Sequence, residues 1–130
     1  MENYVHVRPE HLNHHGYLFG GVLLKWVDEF AWMTASLDYP ECSMVTVAMD
    51  NIQFKHRVKN GAILRLAIRP IEKGRSSISY GIVVFSDEPG NRVEREVFTT
   101  RITFVRINEQ GNSIQLPRTE TLRSEDNESD

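Results

Sequence analysis

The sequence predicts an α+β domain in which one long helix is wrapped by a curved, mostly antiparallel sheet of five strands. Three observations predict this class. A strongly apolar, helix-like segment follows a glycine pair near the N-terminus. Segments with the alternation or the β-branched content of strands fill most of the remaining chain. The breaks between those segments are too short for parallel crossovers, which need about a dozen residues or more.

The helix and the strands follow one another without an internal repeat. A short strand is predicted from about Tyr4 to Arg8, and the helix from about Gly21 to Ser36. The four later strands read MVTVAMDNIQF, AILRLAIRPI, SSISYGIVVF and EVFTTRITFVRI, and turn-forming residues separate them. We expect one domain over residues 1–117. A polar, acidic tail over residues 118–130 is expected to be disordered, because it cannot bury enough apolar surface.

The predicted helix is apolar around most of its circumference. At about 100° per residue, Lys25, Glu29 and Ser36 share one narrow stripe, which is the predicted solvent side. The opposite arc is broad and apolar and contains Val22, Leu23, Trp26, Val27, Phe30, Met33 and Leu37. A helix of this kind is packed on most of its surface. Asp28 belongs to neither group, since it lies at the edge of the apolar arc.

Composition argues against several classes of partner and location. The net charge is -3 and basic residues are scattered among acidic ones, which argues against nucleic acid. No apolar run reaches membrane-spanning length and the N-terminus lacks a signal-peptide pattern, so we expect no membrane partner and a cytoplasmic location. Cys42 is the single cysteine, which excludes an internal disulfide and favours a reducing compartment.

Asp28, the Gly20-Gly21 pair and Asn13 are the candidates for chemistry, and each has a structural alternative. Asp28 is either a surface acid or a partly buried general base. The glycines form either a tight turn or a helix start whose free N–H groups bind a developing oxyanion. Asn13 is either a turn residue or a group that positions water or a carbonyl.

Two further segments and three histidines contain possible ligand-binding groups. KGRSS, at Lys73 to Ser77, is either an ordinary hairpin turn or an anion site, and FKHRVKNG is either a solubilising edge or a second basic site. From the sequence we favour the solvated alternatives. His11, His14 and His15 suggest a metal, but no carboxylate or cysteine cluster stands at ligand spacing, so we expect no metal site.

Four motifs in order resemble those of the hotdog-fold acyl-CoA thioesterases. They are N-x-x-G-x-x-F-G-G from Asn13 to Gly21, W-V-D ending at Asp28, V-T-V-A at Val45 to Ala48, and G-R-S-S at Gly74 to Ser77. The likeness is closest to the short bacterial hydrolases of the YciA type and to the repeats of the brain-type acyl-CoA hydrolases. It spans about residues 13–118.

The resemblance implies hydrolysis of acyl-CoA to a free acid and coenzyme A, with no separate cofactor because coenzyme A is part of the substrate. It implies that Asp28 is the catalytic carboxylate, as general base or as nucleophile, and that Asn13 and Thr46 complete the site. The glycines at the helix start, Gly20 and Gly21, would polarise the thioester carbonyl.

The resemblance also assigns the phosphates of coenzyme A to one turn, formed by Gly74, Arg75, Ser76 and Ser77. The chain departs from the family pattern in having bulkier side chains near the site, at His14, His15, Tyr17 and Trp32. These departures leave the acyl chain length open.

The spacing along the helix favours a site shared by two chains. Asp28 lies seven residues past Gly21, roughly 10 Å along the axis, so one carbonyl cannot contact both closely. We therefore expect a homodimer as the minimal active unit, and the resemblance allows a hexamer of three dimers.

The alternative function is that of a non-catalytic acyl-CoA-binding regulatory domain, against which the joint presence of Asp28 and Asn13 argues. A dehydratase of the same fold ranks lower, because the helix does not open with His-Phe-Pro.

Overall fold

The computed structural model describes residues 1–118. Its elements are the strand β1 (Glu2–His6), a 3-10 turn (Pro9–His11), the helix α1 (Gly20–Asp38), and the strands β2 (Ser43–Phe54), β3 (Ile63–Lys73), β4 (Ser77–Asp87) and β5 (Arg95–Ile107). The helix is longer than predicted at both ends, and β1 begins and ends earlier than predicted. The predicted disordered tail lies, apart from its first residue, outside the described residues.

The five strands form one open sheet in the order β1-β3-β4-β5-β2. Every neighbouring pair is antiparallel. The α+β class and the five-stranded sheet are therefore confirmed. The strands β1 and β2 are the two edges, so one side of each has no strand partner within the described chain.

The helix α1 lies across the sheet and contacts four of its strands, β2 to β5. Its buried apolar side includes Leu23, Trp26 and Val27. These residues join one core with the inward side chains of the sheet, among them Leu64, Leu66, Ile68, Ile82, Phe98, Ile102 and Phe104. Burial of such side chains is the main favourable term in folding, and the helix wrapped by a sheet follows from it.

The C-terminal end of α1 is joined to the sheet by a buried polar contact. The Tyr80 hydroxyl donates to Oδ2 of Asp38 at 2.8 Å. Burial, with the Asp38 charge beside it, raises the pKa of Tyr80 above its ordinary value. The helix ends at Asp38, two residues before Pro40, whose ring cannot continue a helix.

One side of α1 is not covered by residues 1–118, contrary to the sequence prediction. Met33 and Leu37, placed on the packed arc by the helical period, are 42% and 43% exposed, and Trp32 is 45% exposed. The prediction was wrong because the period identifies apolar side chains but not the chain that covers them. Large exposed apolar areas of this kind mark contact surfaces.

The edge strand β2 runs alongside this bare side of the helix. Val47, Ile52 and Phe54 on β2 are also more than two-fifths exposed. We call the six exposed side chains the α1–β2 face: Trp32, Met33, Leu37, Val47, Ile52 and Phe54. An apolar face next to an unpaired strand edge is a surface on which a second chain can pair.

Candidate functional site

Asp28 and Thr46 are brought together where α1 lies beside β2. The Thr46 hydroxyl donates to Oδ1 of Asp28 at 2.7 Å, across 18 positions of sequence. Asp28 is half-buried, and its Oδ2 has no hydrogen-bond partner among residues 1–118. The carboxylate is therefore held by one oxygen and offers the other to a water molecule or a substrate.

A β-bulge next to Thr46 aims its side chain at the helix. The register of β2 against β5 shifts between Thr46 and Ala48, so that Val47 is the additional residue. Bulges at sheet edges redirect side chains and are frequent next to functional sites.

Asp28 opens into a surface cleft of about 290 Å³. The cleft is lined by Asp28, Glu29, Trp32, Met33 and Thr46. The Trp32 indole is fixed by donation from Nε1 to the carbonyl oxygen of Met44 at 2.9 Å. The carboxylate therefore has an oriented, apolar neighbour in the cleft, which suits an acyl or thioester group.

Asn13 is a turn residue that keeps a free donor. Its Oδ1 accepts from the amides of His15 at 2.9 Å and Tyr17 at 3.1 Å. An Asn side chain has one acceptor and one NH₂ donor, and no group within residues 1–118 accepts from this NH₂, so it is available to a ligand. The structural and the functional alternatives for Asn13 are thus compatible.

The helix start also presents free donors. Val22 and Leu23 donate their amides to the carbonyl of Phe19 at 3.0 and 3.3 Å. Among the described residues, the amides of Gly20 and Gly21 have no hydrogen-bond acceptor, as expected for the first positions of a helix. N–H groups at a helix N-terminus stabilise negative charge.

Asn13 and Gly20 line a second, larger cleft of about 570 Å³. Its apolar floor is formed by Leu18, Leu23, Phe54 and Val58, and its polar wall by His15, Tyr17, Lys55, His56 and Arg57. We call it the Asn13 cleft. The sequence prediction did not place the segment Lys55 to Val58 here. The sequence feature that could have placed it here is the basic stretch FKHRVKNG, for which a solubilising edge was the favoured interpretation.

The two clefts of one chain are separate. Asp28 lies eight residues after Gly20, roughly 12 Å along the helix axis, and none of residues 1–118 lines both clefts. Asp28 with Thr46 forms one half of the predicted site, and Asn13 with the glycines forms the other half.

The turn of Gly74, Arg75, Ser76 and Ser77 lies outside both clefts. A Cβ added at Gly74 would lie 2.6 Å from Oγ of Ser77, so that hydroxyl would have to move. Ser77 is paired with Val105, and Val105 with Val45, the neighbour of Thr46. The turn is therefore two strand spacings, roughly 10 Å, from the Asp28 cleft.

The histidines of the N-terminal loop make aromatic contacts. The rings of His14 and His15 lie 3.9 Å apart, and the His11 ring lies 4.8 Å from that of Trp26. Within residues 1–118, no group of three or more His, Cys, Asp or Glu side chains is arranged to hold a metal ion. In the same range, no helix has both the length and the apolarity for a membrane crossing.

A model of the thioesterase superfamily matches residues 15–93. The chain belongs to the thioesterase superfamily. It is also 32% identical over 114 residues to an uncharacterized acyl-CoA thioester hydrolase of Zymomonas mobilis, covering 84% of this chain and 72% of the relative. It is 34% identical over 99 residues to mouse acyl-coenzyme A thioesterase 11, covering 76% of this chain.

The first mammalian relatives are much longer than the matched region. The chain spans 16% of mouse acyl-coenzyme A thioesterase 11 and 30% of the rat cytosolic acyl coenzyme A thioester hydrolase. This thioesterase-superfamily chain therefore corresponds to one part of those relatives.

Solved structures confirm the hotdog fold of this superfamily member. The hexameric hotdog-fold thioesterase of Campylobacter jejuni matches with a TM-score of 0.79 and 26% identity, over 88% of each chain. The acyl-CoA hydrolase of Staphylococcus aureus, solved with butyryl coenzyme A and coenzyme A, matches with a TM-score of 0.81 and 27% identity, over 90% of this chain and 71% of that one.

The Staphylococcus aureus enzyme has also been solved with one Asn, one Asp or one Thr replaced by alanine. In that enzyme the Asn precedes the Asp by 15 positions and the Thr follows the Asp by 17. In this chain Asn13 precedes Asp28 by 15 positions, and Thr46 follows Asp28 by 18. The spacing of the three residue types is thus nearly the same in the two proteins.

Proposed function

We propose that this protein is an acyl-CoA thioesterase that hydrolyses acyl-CoA to a free carboxylic acid and coenzyme A. The observation that carries the proposal is the Asp28 carboxylate, half-buried and held by the Thr46 hydroxyl at 2.7 Å in an apolar-walled cleft. The relatives named as acyl-CoA hydrolases support the same reaction. No separate cofactor is required, because the second reactant is water.

In the simplest mechanism Asp28 acts as general base. It takes a proton from water as the oxygen attacks the thioester carbon. The C–S bond then breaks, and the coenzyme A thiolate leaves and is protonated. In the alternative, the carboxylate attacks the carbon itself and water hydrolyses the resulting anhydride. In both mechanisms the developing oxyanion accepts hydrogen bonds from the Gly20 and Gly21 amides and from the Asn13 NH₂ group.

The complete site is proposed to form between two chains. The α1–β2 face is apolar and borders the free edge of β2. Along β2, Thr46 lies beside Asp28, whereas Phe54 lies beside Gly20, whose added Cβ would be 3.4 Å from the ring. Two β2 strands paired antiparallel around a two-fold axis bring the start of one next to the end of the other. The Asp28 cleft of one protomer would then meet the Asn13 cleft of its partner.

A mixing experiment tests this arrangement. Neither Asp28→Asn nor Asn13→Ala homodimers should turn over substrate well. A mixed dimer contains one site with both changes and one site with neither, so mixing should restore up to about half the wild-type activity per mixed dimer. A mixed dimer, verified by mass spectrometry, that stays inactive would mean that each site is built within one chain.

The assembly and location are proposed on the same basis. The Campylobacter jejuni neighbour is hexameric, and a trimer of dimers is the corresponding assembly for this chain. Cytosolic acyl coenzyme A thioester hydrolases are among its relatives, and a cytoplasmic location remains our prediction.

The turn from Gly74 to Ser77 is proposed to bind the phosphates of coenzyme A. Arg75 is exposed and has no carboxylate partner among the described residues. Lys73 beside it is engaged, because its Nζ donates to the carbonyl oxygen of Pro117 at 2.7 Å. An anion at the turn would be bound by the Arg75 guanidinium and the serine hydroxyls. The roughly 10 Å between turn and cleft would be spanned by the pantetheine arm.

The test of function is replacement of Asp28 by Asn, with release of free thiol from a series of acyl-CoAs as the assay. The expected result is loss of nearly all turnover with unchanged melting temperature and unchanged coenzyme A binding. The matched control is Glu29→Gln, which removes a neighbouring exposed carboxylate of the same cleft and should keep most activity. Normal turnover by Asp28→Asn would remove Asp28 from the mechanism. A wild type that binds acyl-CoA without turnover would support the regulatory alternative.

A further inference from the structure

The polar wall of the Asn13 cleft contains cationic and donor groups that the proposed reaction does not use. His15, His56 and Arg57 line it and are exposed. Within residues 1–118, none of these three forms an ion pair with a carboxylate. Lys55 differs, because its Nζ contacts the Glu96 carboxylate and its charge is compensated.

The Arg57 side chain is held in position although its charge is uncompensated. Its Cζ lies 5.1 Å from the centre of the Tyr17 ring, within the range of a cation–π contact. The backbone next to it is fixed, since the Leu18 amide donates to the Val58 carbonyl at 2.8 Å. A positioned guanidinium with free N–H groups is a strong binding group for carboxylate or phosphate oxygens.

The wall shares its cleft with the groups assigned to the thioester carbonyl. Asn13 and Gly20 line the same space, and an apolar floor that includes Leu23 and Phe54 accompanies them. The volume of about 570 Å³ is that of a small-molecule site. An acyl chain that leaves the carbonyl into this cleft therefore shares the cleft with apolar side chains and with Arg57, His56 and His15.

We propose that this wall is a subsite for a carboxylate at the far end of the acyl chain, so that short acyl-CoAs with a terminal carboxylate are preferred substrates. The inference rests on the proposed thioesterase function. A methyl-ended chain would desolvate the guanidinium without replacing its hydrogen bonds, which is costly. A carboxylate end replaces them with charge-assisted ones.

The phosphates of coenzyme A are the other source of an anion in this cleft. They are separated from the thioester by the whole pantetheine arm, whereas Arg57 lies in the cleft of the carbonyl-binding groups. The carboxylate is therefore the closer match.

The experiment compares kcat/KM for pairs of substrates of equal chain length, one ending in a carboxylate and one in a methyl group, from four to eight carbons. The measured quantity is the ratio within each pair. At the best length the wild-type ratio should exceed 1, and Arg57→Gln should lower it about tenfold, as loss of one charge-assisted hydrogen bond predicts. Arg57→Lys should keep part of the wild-type preference for the carboxylate-ended substrate. Lys59→Gln removes an exposed cation outside the cleft and should leave the ratio unchanged.

The outcomes distinguish a terminal carboxylate from a phosphate of coenzyme A as the bound anion. They also distinguish failure of the subsite from failure of the proposed thioesterase function. A wild-type ratio below 1 at every length overturns the carboxylate subsite. An Arg57→Gln variant that loses activity equally on both members of each pair, with weaker inhibition by coenzyme A, assigns the wall to phosphate and also overturns it. Calorimetric binding of non-hydrolysable thioether analogues is independent of turnover. Tighter binding of the carboxylate-ended analogue, lost in Arg57→Gln, supports the subsite even if no substrate is hydrolysed.

Discussion

Removing the Thr46 hydroxyl while keeping the shape of its side chain tests whether that hydroxyl orients the Asp28 carboxylate, which we propose to be catalytic. Thr46→Val preserves the β-branched side chain that suits a strand and removes the 2.7 Å hydrogen bond to Oδ1 of Asp28. The carboxylate then keeps its position in the chain but loses the contact that fixes its rotamer. The β-bulge and the cleft should be unaffected.

The magnitude follows from the chemistry of that hydrogen bond. A hydrogen bond to a charged group contributes about 1.5–3 kcal/mol, which corresponds to roughly 10- to 150-fold in rate at about 1.36 kcal/mol per tenfold. Thr46 is exposed in the single chain, so water can partly replace the hydroxyl there, and the loss should lie near tenfold. If a partner chain covers the cleft, water is excluded and the loss approaches the upper value.

The assay is free-thiol release under saturating acyl-CoA, with Thr46→Ser as the matched control that retains the hydroxyl. We expect kcat to fall in Thr46→Val, while the Ser variant stays within a few-fold of wild type. A Val variant with wild-type kcat and unchanged melting temperature would show that the Thr46 hydroxyl does not orient the carboxylate for catalysis.

Two further predictions concern the turn from Gly74 to Ser77, which we propose to bind phosphate, and the end of the helix. Gly74→Ala puts a Cβ 2.6 Å from Oγ of Ser77 and should displace that hydroxyl, so inhibition by coenzyme A should weaken a few-fold. Ser77→Ala should weaken it similarly and the double variant no further, whereas additive losses would separate the two residues. Tyr80→Phe should cost about 1–3 kcal/mol of stability at neutral pH, because Asp38 loses the buried donor at 2.8 Å. Burial raises the pKa of Tyr80, so the folded protein keeps a proton that the unfolded chain releases above about pH 10. Wild-type stability should therefore fall as pH rises past about 10, by up to about 1.4 kcal/mol per unit for this group, and the Phe variant should lack this component. Urea midpoints of wild type and of Tyr80→Phe near pH 9 and pH 11 measure this component. An equal change of stability with pH in the two proteins would contradict its assignment to Tyr80.

The fold was predictable because its signals are local. Alternation, turn residues and the apolar helix each occupy a short window of sequence, and short connections predict antiparallel pairing. The strand order was not predicted, since β2 pairs with β5 and not with β3, the next strand along the chain. The position of Asp28 at the edge of the apolar arc was also visible from helical spacing. Its partner Thr46 was not, because 18 positions and a β-bulge separate the two residues. Only the resemblance to a known family pointed to Thr46.

The errors have a physical cause as well. Helical period placed Met33 and Leu37 among packed side chains, yet each is more than two-fifths exposed. Hydrophobicity reports that a side chain avoids water, not which molecule covers it. The segment Lys55 to Val58 was missed for a related reason. Its charges resemble those of any solvated edge, and only the contact between Leu18 and Val58 brings it to the Asn13 cleft.

The separation of the two clefts along one helix has a kinetic consequence. When a reaction centre requires two halves that only different molecules can supply, dilution lowers activity because it dissociates those molecules. Specific activity should then decline once the enzyme concentration falls below the dissociation constant of the dimer. A substrate that contacts both halves should stabilise the dimer and delay that decline. Cells that tune the abundance of such a protein would change its output more steeply than in proportion.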